Sequence, residues 1–156
     1  MTSALILHNI RSVHNVGSIF RTADAAGVSR IILSGYTPTP LDRFRLPRKD
    51  FAKVSLGAEQ TIPWQHTKTI AQAVKILKLE NYFIAAVEQD KNSIPLFDFV
   101  PPKNKPIALI MGNEVLGISK QSLKLADAIL EIPMQGLKES LNVSVAAGIA
   151  MFAVCV

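Results

Sequence analysis

The chain has 156 residues, of which 49% are hydrophobic and 19% charged, a balance typical of a globular protein and not of a disordered one. Its 17 basic and 12 acidic residues give a net charge of +5, a modest excess that favours an anionic partner such as nucleic acid. We therefore expect residues 1–156 to form one domain with a buried core.

Cysteine, histidine and N-terminal residues exclude several further classes of protein. The single cysteine, Cys155, cannot form an internal disulfide, which fits the reducing cytoplasm. The N-terminal residues show neither a basic stretch before an apolar run nor a cleavage pattern, so we expect a first strand there instead of a signal peptide. His8, His14 and His66 are scattered, and no cluster of Cys, His and Asp has the spacing of metal ligands. We expect a cytoplasmic protein without a bound metal.

Short apolar runs predict five strands that alternate with helical patterns. The predicted strands span residues 4–7, 29–34, 82–87, 107–111 and 128–131. The predicted helices run from Asn15 as N-cap to about Ala26, over 68–79 and 119–125, and from Ser140 as N-cap to the C-terminus. Residues 35–65 are predicted to be irregular apart from a short helix at 50–54, and 88–105 to be a polar loop. Because the strands are too apolar for a solvent-exposed face, the pattern indicates a parallel α/β sheet covered by helices on both sides.

The predicted C-terminal helix is apolar on nearly every face. From Leu141 onward it carries Val143, Val145, Ile149 and Phe152 at positions that point in different directions. A helix on the surface of a globular protein would keep one polar face. The stretch is too short and too polar at its start to span a membrane. We therefore expect this helix to be covered all round, in part by a second subunit.

Three polar segments follow predicted strands, which is where α/β proteins bind ligands. They are NVGSIFRTA from Asn15, GNEVLG from Gly112, and the loop that ends at Ser140 and Asn142. Each has a plain structural explanation when taken alone, as a helix cap, a solvated arginine or a tight turn. The sequence has no GxxxxGK[ST] phosphate loop, no GxGxxG after the first strand and no GxSxG elbow, which argues against the classical nucleotide-binding and hydrolase classes.

A basic stretch lies in the irregular segment between residues 43 and 49. It interleaves Arg43, Arg45, Arg48 and Lys49 with the aromatic residue Phe44. A run of charges is often only a solvated loop. Cations that alternate with an aromatic ring also suit contact with phosphates and stacking on bases, so the functional alternative is an RNA-binding surface.

Taken together, the three polar segments resemble the motifs of the SPOUT methyltransferases, in particular the TrmH (SpoU) branch that methylates ribose 2′-hydroxyls of tRNA or rRNA. The first motif of that family, N-x-G-x-x-x-R-x-A, is matched by NVGSIFRTADAAGV. An apolar strand leading into G-N-E-x-x-G is matched by IALIMGNEVLGIS, and I-P-M…S-L-N-V-S-x-A by IPMQGLKESLNVSVAAGIAMF. The resemblance runs from about residue 5 to residue 154, with Val115 standing where many relatives carry glycine.

The resemblance implies a fold and a cofactor. The fold is a Rossmann-like parallel sheet whose C-terminal part threads through a loop as a deep trefoil knot, in a homodimer packed through the terminal helix. The implied cofactor is S-adenosyl-L-methionine, held largely by backbone groups. The positions that match its binding residues are Val87, Gly112, Ile132, Met134 and Leu141.

The resemblance also implies a catalytic set, in which Arg21 is surrounded by Asn15, Glu114, Ser140 and Asn142. Since a guanidinium is effectively always protonated, we expect Arg21 to hold the target phosphate and stabilise the developing alkoxide. Glu114 is expected to orient that arginine.

The implied partner is an RNA substrate, with tRNA favoured over rRNA. The sequence resembles a minimal member of the family without an added RNA-binding domain, so recognition is expected from the core surface. The expected contacts are Arg11, Arg43, Arg45, Arg48 and Lys49, with Lys103 and Lys105 as further cations. The alternatives are an rRNA 2′-O-methyltransferase, an inactive RNA-binding homologue and a base methyltransferase.

Overall fold

The computed structural model of the protein describes residues 2–156, which contain a seven-stranded, entirely parallel sheet with helices on both faces. The strands are β1 (Ser3–His8), β2 (Arg30–Ser34), β3 (Trp64–Thr67), β4 (Phe83–Val87), β5 (Ile94–Pro95), β6 (Ile107–Met111) and β7 (Ala128–Glu131). Their order across the sheet is β3-β2-β1-β6-β4-β7-β5. The helices are α1 (Val13–Ala25), α2 (Lys49–Ser55), α3 (Ala58–Thr61), α4 (Ile70–Leu79), α5 (Lys120–Leu123) and α6 (Val143–Val154), with a 3-10 turn at Leu96–Asp98. The predicted parallel α/β sheet is confirmed.

All five predicted strands are present, and β6 and β7 have the predicted bounds. The prediction missed β3 and β5, which form the two edges of the sheet. Both are short, and most of their residues are exposed, so neither carries the apolar run that revealed the central strands. The prediction was therefore wrong in treating residues 35–65 and 88–105 as irregular except for one helix.

The alternation of side chains along the strands builds two apolar layers. Leu5 and Leu7 of β1 face the layer that contains α1, α2 and α6, whereas Ala4 and Ile6 face the layer that contains α4. All four of these side chains are fully buried. The central strands are thus covered on both faces, as their apolar sequence requires.

Two predicted helix caps are wrong. The N-cap of α1 is Ser12, whose hydroxyl accepts from the backbone N–H of Asn15 at 3.1 Å. The N-cap of α6 is Asn142, whose side-chain oxygen accepts from Ser144 N–H at 2.9 Å, and Ser140 lies before the helix. The helix α1 therefore begins earlier than predicted, with Asn15 inside its first turn, and α6 begins later than predicted. The side chain of Asn15 is consequently free to make contacts elsewhere.

Within one chain, α6 is covered on one side only. Val143, Ala147, Ala150 and Met151 are buried in the layer beside α1. Val145 and Phe152, seven residues apart on the opposite stripe, are 50% and 52% exposed. No helix formed by residues 2–156 has the length and apolar character needed to cross a membrane.

Candidate active site

The carboxyl ends of β4, β6 and β7 open into a cavity of about 460 Å³. Its walls are the loops that follow these three strands, together with the first turn of α6. The cavity brings together all five residues that the sequence predicts for cofactor binding. They are Val87, Gly112, Ile132, Met134 and Leu141. Ligands of open parallel sheets bind at this edge because the connecting loops converge there.

Two glycines allow the loops around this cavity to pack without side chains between them. A Cβ atom at Gly112 would lie 2.5 Å from Ile118 Cγ1 and 2.8 Å from the backbone of Gly117. Gly117 has a φ of +64°, and a Cβ atom there would collide with the Glu88 carboxylate. The wall of the cavity at this point is therefore built from closely packed backbone.

The loop between Gly112 and Gly117 is held by two side chains whose function the sequence prediction did not recognise. Asn113 is 7% exposed, and its Oδ1 accepts from the N–H groups of Val115 and Leu116, both at 2.8 Å. Its Nδ2 donates to Asn9 O at 2.9 Å. Glu88 accepts from Ile118 N–H at 2.9 Å. An asparagine beside the glycine that follows a buried strand is the signal for such a side-chain turn, and it was available in the sequence.

Glu114 joins this loop to the start of α1. Its carboxylate accepts from Arg11 N–H at 3.0 and 3.1 Å, from Ser12 N–H at 3.1 Å and from Asn15 Nδ2 at 3.4 Å. Partial burial of the carboxyl group favours its neutral form, but these hydrogen bonds outweigh that effect and hold the pKa of Glu114 below its usual value. Glu114 is thus an ionised carboxylate placed at the N-terminus of α1, where negative charge is favourable.

Asn15 continues the connection to α6. Its Oδ1 accepts from Asn142 Nδ2 at 3.2 Å, while Asn142 caps α6 through Ser144. One chain of hydrogen bonds therefore runs from Glu114 through Asn15 to Asn142. In the sequence, Glu114 lies 99 residues from Asn15, and Asn142 lies 127 residues from it. This chain joins the three polar segments that resembled family motifs. We call Glu114, Asn15 and Asn142 the polar bridge.

The other two predicted catalytic residues lie outside the polar bridge. Arg21 is exposed on α1, and its guanidinium makes no hydrogen bond or ion pair with any residue in 2–156. At 3.6 residues per turn, Arg21 and Asn15 point about 120° apart around α1, so they do not lie on one side of the helix. The predicted contact between Glu114 and Arg21 is also wrong, because Glu114 contacts Asn15 and the backbone before α1. Ser140 is exposed at the wall of the cavity.

Four of the five predicted RNA-binding residues lie between residues 43 and 49, whereas Arg11 lies just before α1. Asp42 shapes the loop, because its Oδ1 accepts from Phe44 N–H at 2.8 Å and from Leu46 N–H at 3.0 Å. The guanidinium of Arg43 lies 4.8 Å from the centre of the Phe44 ring, and both side chains are exposed.

Arg48 forms an ion pair with Asp50 at 2.9 Å and is the least accessible of the predicted cations. The others are exposed, namely Arg11, Arg43, Arg45 and Lys49.

The lining of the cavity carries more negative than positive charge. Its acidic residues are Glu88, Asp90, Glu114, Glu131 and Glu139. The basic lining residue is Lys120. This excess of carboxylates favours a ligand that carries positive charge, because opposite charges attract more strongly in a partly enclosed site than in bulk water.

Comparison with known proteins identifies the family. Residues 2–152 match the model of the SpoU rRNA Methylase family, so the chain belongs to that family. It is 34% identical over 149 residues to the 23S rRNA (guanosine-2′-O-)-methyltransferase RlmB of Ralstonia nicotianae, covering 95% of this chain and 56% of that protein. The resemblance of its motifs to the TrmH (SpoU) branch is thereby confirmed.

Solved structures show the same architecture. The AdoMet-bound rRNA methyltransferase of Sinorhizobium meliloti superposes with a TM-score of 0.87 at 30% identity, covering 97% of this chain and 55% of that one. The TrmH/SpoU tRNA modifying enzyme of A. aeolicus superposes with a TM-score of 0.81 at 26% identity, covering 97% of this chain and 72% of that one. The chain spans a little over half the length of the curated relatives it matches, 58% and 56% for two of them.

Proposed function

We propose that this chain is an S-adenosylmethionine-dependent methyltransferase that transfers a methyl group to a ribose 2′-hydroxyl of RNA. The observation that carries the proposal is the polar bridge of Glu114, Asn15 and Asn142 beside the cavity. It connects the three motif segments in space, next to the five residues expected to bind the cofactor. The name of the R. nicotianae relative, which specifies guanosine 2′-O-methylation, supports ribose as the acceptor.

The size of the cavity, the charge of its lining and the residues of its wall are compatible with the cofactor. Its volume of about 460 Å³ lies within the range of small-molecule sites. S-adenosylmethionine carries a positively charged sulfonium and supplies an activated methyl group for direct displacement. The carboxylates of the lining complement that charge, and Gly112 and Gly117 form part of the wall. Val87, Gly112, Ile132, Met134 and Leu141 would hold the cofactor.

The transfer would join the ribose oxygen to the methyl carbon as the bond between that carbon and sulfur breaks, leaving a neutral thioether, and the hydroxyl proton would pass to solvent water. Arg21 would act as a fixed cation that binds the target phosphate and stabilises the developing alkoxide, because a guanidinium does not deprotonate readily. Its exposure and its freedom from protein partners within residues 2–156 suit this role. Ser140, exposed at the cavity wall, would contact the ribose hydroxyl.

Glu114 has a positioning role in this proposal. Both of its carboxylate oxygens already accept hydrogen bonds from backbone N–H groups, so it is poorly placed to take the substrate proton. Instead it fixes the start of α1, from which Asn15 reaches Asn142. Asn15 and Asn142 would keep α1, and with it Arg21, at a constant distance from the cavity.

The RNA would bind along the exposed cations of the same edge. Arg11, Arg43, Arg45 and Lys49 are open to solvent, and Arg48, which is paired with Asp50, lies at the start of α2. We propose tRNA as the substrate, in accord with the interpretation of the sequence. The second candidate is 23S rRNA, which the names of the RlmB relatives favour.

The exposed stripe of α6 supports a homodimer. Val145 and Phe152 present apolar surface to solvent in the single chain, and Val156 extends the stripe with 79% of its surface exposed. A second copy that packs on this stripe would remove it from water. We propose that the dimer forms through α6.

We also propose that residues 1–156 form one domain with a deep trefoil knot near the C-terminus. The path of the chain supports this proposal, because β7 pairs with β4 while α6 lies against α1 and β6 on the far side of β4. A crystal structure in which the last residues can be drawn out without passing through a loop would contradict the knot.

Methyl transfer from radiolabelled S-adenosylmethionine to unmodified bulk tRNA and rRNA tests the proposed function. We expect label in one RNA class, with a mock reaction without RNA as control. Calorimetric titration with the cofactor accompanies the assay. Absence of cofactor binding would contradict the proposal and favour an inactive RNA-binding homologue.

A further inference from the structure

Tyr36 is a half-exposed aromatic side chain on the turn that follows β2, beside the candidate active site. Its backbone N–H donates to Asn9 Oδ1 at 3.1 Å, and its hydroxyl oxygen accepts from Asn113 Nδ2 at 3.0 Å. Asn113 is buried and directly precedes Glu114 of the polar bridge. The residue is thus fixed at its backbone and at the tip of its ring, yet 57% of its surface remains exposed.

The turn that carries Tyr36 is held by the three neighbouring strands. Gly35 has a φ of +66°, and a Cβ atom there would collide with the side chain of Asn9. The carbonyl of Gly35 accepts from His66 Nε2 at 2.8 Å. On the other side, Thr37 Oγ1 accepts from Ile10 N–H at 3.1 Å and donates to Leu7 O at 2.8 Å. The ring therefore stands on a rigid support, which reduces the entropy lost when a ligand binds to it.

The segment that leads into α1 is hydrogen-bonded both to the turn that carries Tyr36 and to Glu114. Arg11 follows Ile10, whose N–H binds the turn, and the side chain of Arg11 is exposed. The backbone N–H of Arg11 donates to Glu114. An exposed ring can stack on a nucleobase, and an exposed arginine on a neighbouring segment can bind a phosphate of the same strand.

We infer that Tyr36 stacks on the base of an unpaired nucleotide at or next to the methylated ribose. The inference rests on the proposed function, because it requires RNA at this edge of the sheet. In a duplex, neighbouring base pairs cover both faces of each base, so an aromatic side chain can stack only on a base that is unpaired or flipped out. The substrate is therefore RNA that is single-stranded at its target.

The test compares binding of two RNA probes to wild-type chain and three variants. The probes are a short fluorescein-labelled single-stranded RNA of random sequence and a labelled duplex of the same length. Fluorescence anisotropy measures the affinity of each protein for each probe. Tyr36→Ala is expected to weaken single-stranded binding by about 10-fold and leave duplex binding nearly unchanged. Tyr36→Phe keeps the ring and should stay within about 3-fold of wild type, because stacking needs no hydroxyl. Leu79→Ala, which truncates an exposed apolar side chain at the end of α4, should bind as wild type does.

Several outcomes overturn the inference. They are wild-type affinity of Tyr36→Ala for the single-stranded probe, an equal loss of duplex binding, an equal loss in Tyr36→Phe, and failure of the wild-type chain to bind the single-stranded probe. Calorimetry with S-adenosylmethionine on the same proteins keeps the two proposals apart. Cofactor affinity of Tyr36→Ala equal to wild type shows that the variant is folded, whereas a wild-type chain that binds no cofactor contradicts the proposed function itself.

Discussion

At the scale of single residues, the polar bridge assigns different tasks to residues that the motifs group together. Glu114 and Asn142 are each tied to a helix N-terminus, and Asn15 joins them. Arg21 and Ser140 are left open to solvent, and Ser140 lies at the wall of the cavity. The first set is suited to positioning, and the second to contact with a substrate.

Arg21→Lys tests the role of the exposed arginine. Lysine keeps the charge but loses the planar fork that binds two phosphate oxygens at once, so we expect methyl transfer to fall by about 100-fold or more. Cofactor affinity should remain unchanged, because Arg21 is not part of the cavity wall. The measurements are transfer of label and calorimetry. Substantial activity in Arg21→Lys would count against both phosphate binding and alkoxide stabilisation, and Lys75→Ala on α4 is the control for loss of an exposed cation.

Glu114→Gln tests the positioning carboxylate through the dependence of stability on pH. The pKa of Glu114 is lowered in the folded chain, so its carboxylate stabilises the fold above the ordinary value of 4.5, and this contribution is lost as the pH falls below it. We expect the difference in free energy of unfolding between wild type and Glu114→Gln to be constant above pH 4.5 and to shrink below it. Urea titrations at a series of pH values measure this difference. Asp50, whose pKa is also lowered, is common to both proteins and cancels.

At the scale of elements, glycine permits close packing in the loop after β6, where Gly112 lies against the backbone of Gly117 and Gly117 lies against the side chain of Glu88. Gly112 and Gly117 thus have a packing explanation as well as a place beside the proposed ligand. Gly17 of the first motif has a packing explanation too. A Cβ atom there would lie 3.1 Å from Val54 Cβ and 3.2 Å from Phe51 O, so the glycine permits close packing of α1 against α2.

Gly112→Ala should destabilise the chain. Its methyl group would meet the backbone of Gly117 at 2.8 Å, and backbone cannot move aside as a flexible side chain can. We expect a loss of about 2 kcal/mol in the free energy of unfolding, typical of overpacking. Gly136→Ala is the matched control, since no atom lies within 4 Å of the added methyl group. Equal stability of the two variants in urea would show that the contact at Gly112 relaxes without cost.

The elements also show what could be predicted from the sequence. The central strands were recognised because burial on both faces makes them continuously apolar, as in Ile107–Met111. The edge strand Trp64–Thr67 gave no such signal. The motif segments identified the residues of the cavity, but the hydrogen bond between Asn15 and Asn142 depends on the tertiary fold and has no local signature. The same holds for Tyr36, whose neighbour Asn113 lies 77 residues away in sequence.

At the scale of the whole molecule, charge and apolar surface have separate locations. The exposed cations near Arg11 and Arg43 belong to loops at the carboxyl edge of the sheet, whereas the exposed apolar stripe belongs to α6. One surface is suited to RNA and the other to a second copy of the chain. In a dimer of this kind, RNA could bind while α6 remains covered.

Phe152→Glu tests the proposed dimer. A charge in the middle of a buried apolar interface is costly, so we expect the variant to be monomeric at concentrations where the wild type is dimeric. Sedimentation velocity measures the difference. Leu79→Glu, which places the same charge at a 79% exposed apolar residue on α4, should leave the assembly unchanged. A monomeric wild type, or a Phe152→Glu variant that remains dimeric, would contradict the interface.

The most direct test of the central claim is analysis of the nucleosides in RNA that the chain has methylated. Modified RNA is digested to nucleosides, which are separated and identified by mass spectrometry with isotopically labelled S-adenosylmethionine as methyl donor. The account predicts that the label appears on ribose, as a 2′-O-methylnucleoside, and that Arg21→Lys lowers its yield by about 100-fold or more. A label on the base would contradict ribose methylation and would assign the cavity and the polar bridge to a different methyl-transfer reaction.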